Sequence, residues 1–88
     1  MGRRRVRVEF LFAGGCSKCA EAREALRGEV ASPDVEWKEV NIAQQPARAV
    51  DLGVISTPAV AIDGELVFKT APSAAELRKA IEGRAGKS

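Results

Sequence analysis

The stretch Gly14-Gly15-Cys16-Ser17-Lys18-Cys19-Ala20 holds both cysteines of the chain, separated by two residues. It follows an apolar strand-like run, Val6 to Phe12, and opens a helix-like run, Ser17 to Val30. That setting predicts Cys16 at a helix N-terminus and Cys19 one turn further in. Unpaired N–H groups and the positive end of the helix favour a thiolate there. The thiolate is the nucleophilic form of cysteine. Cys19 then stands where it can attack a mixed disulfide on Cys16 and release the partner. A Cys16–Cys19 ring encloses so little chain that it adds little loop-closure stability, so the bond reads as exchanged rather than structural.

Paired thiols have other uses, and the rest of the sequence weighs against them. Four-coordinate zinc needs two further ligands, and the chain has no histidine and no third cysteine. Only two chains together complete such a site with thiolates. Two thiolates do suit a soft monovalent copper ion, which keeps a metal carrier as a rival. Buried, inert thiols are the bland alternative. Gly14-Gly15 before the pair and the polar Ser17-Lys18 inside it argue that Cys16 is exposed.

Eighty-eight residues make one domain, with loose tails expected at 1–4 and 84–88. A net charge of +2 is too small to imply a nucleic-acid partner. The local excess Arg3-Arg4-Arg5 with Arg7 reads as a solvated N-terminal arm and strand edge. No apolar run approaches a membrane span, and no basic-then-apolar signal segment opens the sequence. The chain is therefore expected in the cytoplasm, where a C-x-x-C is more often catalytic or metal-binding than a staple.

Outward from the cysteines, Val6, Val8, Phe10 and Phe12 alternate with Arg7, Glu9 and Leu11, predicting a first strand buried mainly on one face. Cys19, Ala22, Leu26 and Val30 form one stripe along the first helix. Val35 to Ile42 is a second strand, parallel to the first through a right-handed crossover. Ala43 to Leu52 is a shorter second helix, with Pro46 in its first turn and Gly53 at its stop. Ala59 to Ile62 and Glu65 to Lys69 flank Asp63-Gly64, a two-residue hairpin signal. Ser73 with Glu76 is a capping-box signature for a last helix, whose stripe is Leu77, Ala80 and Ile81. Gly83 to Ser88 is expected to fray.

The order β-α-β-α-β-β-α, with C-x-x-C at the first strand–helix junction and Thr57-Pro58 opening the third strand, resembles the thioredoxin-like superfamily in its compact, glutaredoxin-sized form. The resemblance spans Val6 to Ile81. It implies an α/β fold with a four-stranded mixed sheet and helices on both faces. It also implies a thiol–disulfide oxidoreductase, a monomer acting on protein or small-molecule disulfides through Cys16 and Cys19. No cofactor beyond the cysteine pair is implied; a reductase or glutathione supplies the electrons. In this family the proline before the third strand is cis and packs beside the cysteines, a role that falls to Pro58. The backbone just before it pairs with an extended substrate segment, which falls to Thr57.

Several residues depart from the family pattern. Gly15 stands in place of the tryptophan of Trp-Cys-Gly-Pro-Cys, and Ser17-Lys18 replaces the central dipeptide. The glutathione-holding Gly-Gly-Asp of glutaredoxins has no match. Phe10 occupies the place of the buried aspartate that thioredoxins carry six residues before the first cysteine. Lys18, as a cation between the cysteines, is expected to favour the Cys16 thiolate, and Ser17 to bond the thiolate or a backbone N–H. Two rival functions survive: a thioredoxin-fold redox sensor or adaptor without turnover, and a copper or zinc carrier on a β-α-β-β-α-β chain.

Overall fold

The computed structural model describes residues 5–30 and 32–85. Seven elements follow one another: β1 (Val6–Phe12), α1 (Ser17–Val30), β2 (Val35–Asn41), α2 (Pro46–Leu52), β3 (Ala59–Ile62), β4 (Glu65–Phe68) and α3 (Ala74–Ala85). The strands form one sheet in the order β2-β1-β3-β4. β1 and β2 are parallel, joined across α1, with Val6 opposite Val35 and Phe12 opposite Asn41. β3 runs antiparallel to both β1 and β4. The order matches that expected from the sequence, including the helix between β2 and β3 that a β-α-β-β-α-β metal carrier lacks.

Side chains alternate across β1, and each face of the sheet is covered. Val6, Val8 and Phe10 join Leu26 and Val30 of α1, Leu77 and Ile81 of α3, and Val60 and Ile62 of β3 in the larger apolar cluster. Trp37 of β2 stacks on Phe10 with ring centroids 5.8 Å apart. On the opposite face Leu11, Val40, Ala59 and Ala61 form a smaller cluster, against which Leu52 of α2 packs. β3 is buried along its whole length, which explains its unbroken apolar sequence.

Glu9 departs from the expected polar side of β1. It is 2% exposed, because α2 lies over that face and Arg48 reaches its carboxylate. Arg48 Nε donates to Glu9 Oε2 at 2.9 Å, and Arg48 Nη2 donates to Oε1. This fork raises the Arg48 pKa above its ordinary value, against the opposing effect of burial.

β2 and β4 each end one residue early, at Asn41 and Phe68, and two boundaries shift further. α2 starts at Pro46 rather than Ala43, because Asn41 captures the preceding turn. Its side chain accepts from Ala43 N–H at 2.9 Å and its carbonyl from Gln44 and Gln45 N–H at 3.0 and 2.9 Å. α3 runs on to Ala85 through Gly83, so Gly83, Arg84 and Ala85 are helical rather than frayed. Arg84 is anchored to Glu65 of β4 by an ion pair, which offsets the glycine's weak helix propensity. The expected tail at 1–4, with Arg3 and Arg4, and residues 86–88 of the tail expected at 84–88 lie outside the described residues.

The predicted punctuation is in place. Asp63 and Gly64 both have positive φ, 53° and 83°, as a two-residue turn of type I′ requires. At the start of α3, Glu76 N–H donates to Ser73 Oγ at 3.1 Å and Ser73 N–H donates to Glu76 Oε1 at 2.9 Å, a reciprocal capping box.

Candidate redox site

The site lies where β1 hands over to α1. Gly15 adopts φ +76°, a left-handed turn that a side chain would strain, and it aims the next residue at the head of the helix. Cys16 is the N-cap. Its carbonyl accepts the first helical bond from Ala20 N–H at 3.3 Å. Its Sγ accepts from Cys19 N–H at 3.2 Å. The sulfur thus takes the place that a serine or aspartate oxygen fills at other helix starts.

The two cysteines are not equivalent. Cys16 is half-buried, whereas Cys19, one turn in, is 3% exposed. A disulfide joins them, with Cα atoms 5.2 Å apart. Ser17 and Lys18 are exposed on the first turn. The hydrogen bond to the Cys16 sulfur comes from the Cys19 backbone and not from the Ser17 hydroxyl.

Beside this turn lies a groove of about 280 Å³, lined by Lys18, Ser56, Thr57, Pro58, Lys69, Thr70 and Ala71. The Thr57–Pro58 peptide bond is cis. Pro58 is buried, Thr57 half-buried and Ser56 exposed. Ser56 Oγ donates to the Lys69 carbonyl at 3.4 Å, tying together the segments before β3 and after β4. Lys18, Thr57 and Pro58 therefore line one groove. The segment Lys69-Thr70-Ala71 was not among the expected site residues. The hairpin itself held the clue: since β3 and β4 are antiparallel, whatever follows Phe68 lies at the same end of the sheet as whatever precedes Ala59.

Comparison with known proteins places this arrangement. The family described as "Thioredoxin domain" matches residues 5–82. The chain belongs to the thioredoxin family. It is 31% identical over 83 residues to a thioredoxin of Methanocaldococcus jannaschii, a match covering 91% of this chain and 96% of that protein. Among solved structures, a thioredoxin variant from Halobacterium salinarum superposes with a TM-score of 0.80 at 20% identity, covering 93% of this chain and 76% of the other. The thioredoxin of Fasciola hepatica gives 0.73 at 29% identity, covering 93% and 83%.

As a thioredoxin-family member with its cysteines paired at the head of α1, the chain is a thiol–disulfide oxidoreductase. Its redox group is the cysteine pair itself. Among the described residues no cluster of three or more His, Cys, Asp or Glu is arranged to hold a metal ion. Nor is any helix among them long and apolar enough to cross a membrane.

Phe10, where thioredoxins carry a buried aspartate, is fully buried and packs between Phe12 and Trp37. The buried carboxylate next to it, Glu9, does not replace that aspartate. It points to the other face of the sheet and is already held by Arg48.

Proposed function

We propose that the protein is a reductant of protein disulfides in which Cys16 is the nucleophile and Cys19 the resolving thiol. The observation that carries this reading is the asymmetry of the pair: Cys16 is the more exposed sulfur and accepts the Cys19 N–H, while Cys19 is sealed. In the reduced protein the same N–H and the head of α1 stabilise a Cys16 thiolate. The thiolate attacks one sulfur of the substrate disulfide. That S–S bond breaks, a Cys16–substrate disulfide forms, and the departing thiolate takes a proton from water.

Cys19 then loses its proton and attacks Cys16 Sγ. The second substrate thiolate leaves, and the Cys16–Cys19 disulfide remains. Two electrons have passed to the substrate. With Phe10 in place of a carboxylate, water accepts the Cys19 proton. The substrate segment lies extended along Ser56 and Thr57, its backbone pairing with theirs as an added strand above Pro58. A dithiol reductase returns the electrons. Glutathione is the weaker candidate, because Asp63-Gly64 is a hairpin turn and cannot serve as a glutathione-holding segment. All these groups come from one chain, so a monomer suffices, and the reducing cytoplasm is the fitting compartment.

The test is turnover of insulin disulfides with dithiothreitol as electron source. Cys16→Ser is expected to abolish it, and Cys19→Ser to accumulate a mixed disulfide detectable by mass. Reduction at the wild-type rate by Cys16→Ser would falsify the choice of nucleophile.

A further inference from the structure

The groove beside the cysteines has a charge pattern that the exchange chemistry does not require. Its lining includes two lysines, Lys18 on α1 and Lys69 after β4, and no carboxylate. Both are exposed, and among the described residues neither side chain is engaged in an ion pair. The hydrogen bond from Ser56 to the Lys69 carbonyl fixes the segment carrying Lys69 against the strand-pairing edge. Together the lysines border the Ser56–Thr57 backbone along which a substrate segment would lie.

We infer that Lys18 and Lys69 make the groove selective for protein segments that carry aspartate or glutamate beside the target disulfide. This rests on the substrate lying along Ser56–Thr57, as proposed above. Opposite charges across a docking surface raise the rate of productive encounter and disfavour partners of like charge. At solvent-exposed positions each pair has a modest effect, about two- to fivefold, and salt weakens it. The lysines thus rank substrates rather than decide whether exchange occurs.

The experiment measures mixed-disulfide formation by the Cys19→Ser protein with three peptide disulfides that differ only in the residues flanking one cysteine: glutamate, glutamine or lysine. The expected ranking is glutamate over glutamine over lysine, about two- to fivefold per step, collapsing toward equality at about 1 M salt, where the screening length is only about 3 Å. Lys69→Gln should shrink the spread, and Lys69→Glu, which leaves one cation against one anion, should nearly abolish it. An altered thiolate would scale all three rates together, so such a change cannot come from it.

Equal rates for the three peptides, or a ranking that neither Lys69 variant moves, would overturn the inference and leave the dithiol mechanism standing. Oxidised glutathione reacting faster than the glutamate peptide would also overturn it, assigning the lysines to a small carboxylate. Failure of every peptide to form a Cys16 adduct would overturn the mechanism as well.

Discussion

The two faces of the sheet solve the same packing problem with different means. On one, α1 and α3 bury a large apolar cluster around Phe10, Leu26 and Leu77. On the other, the single short α2 covers a smaller cluster, and the centre of that contact is an ion pair, Glu9 with Arg48. The face that carries the cysteines is therefore held by burial, which ionic screening does not weaken and which has little directionality. The opposite face is held by a hydrogen-bonded charge pair, which fixes orientation but contributes little net stability over an apolar replacement.

That contrast can be broken most directly at the larger cluster. Leu26 is 2% exposed, and Leu26→Ala should cost about 4 kcal/mol, whereas Leu52→Ala on the partly buried α2 side should cost about half as much. Denaturant titrations giving equal losses would erase the distinction. Next in size is Arg48→Ala, which strands the Glu9 carboxylate. Its cost is about 3 kcal/mol, at the low end for orphaning a buried charge because water can enter where Arg48 is partly exposed. The double replacement Glu9→Leu with Arg48→Leu should recover most of that stability. If it is no more stable than Arg48→Ala, the pair contributes more than orientation.

The smallest effect belongs to the site itself. Lys18 stands between the two cysteines in the chain, and removing its cation should raise the Cys16 thiol pKa. Lys18→Ala should therefore slow attack below that pKa, where the thiolate is the minority form, and leave the rate unchanged above it. An unaltered thiolate absorbance titration would remove Lys18 from the tuning of the thiol.

What was legible in the sequence was local. The Cys16–Cys19 spacing, the Asp63-Gly64 turn and the Ser73–Glu76 box are each decided within a few residues, and their geometry follows from residue type alone. The strand and helix periods of β1 and α1 told which residues face inward. What was not legible depends on partners far along the chain. Glu9 looked like a solvent-side residue because its partner, Arg48, lies 39 positions away. Asn41 delayed α2 with side-chain and backbone bonds that compete with the helix. Lys69 entered the groove only once the hairpin had brought it back to the mouth of β3. The end of α3 departs from expectation for the same reason, since Arg84 holds on to a strand rather than to its own helix.

The capping geometry of Cys16 has one further consequence. Serine is among the residues most favoured at a helix start, and its oxygen can accept the same N–H that the sulfur now accepts. Exchanging that sulfur for oxygen would leave the scaffold intact while ending its chemistry. On the mechanism proposed above, such a silenced copy would still dock the substrate segment and shield it from the active form, so a single-atom change would convert the protein into a competitive inhibitor of itself.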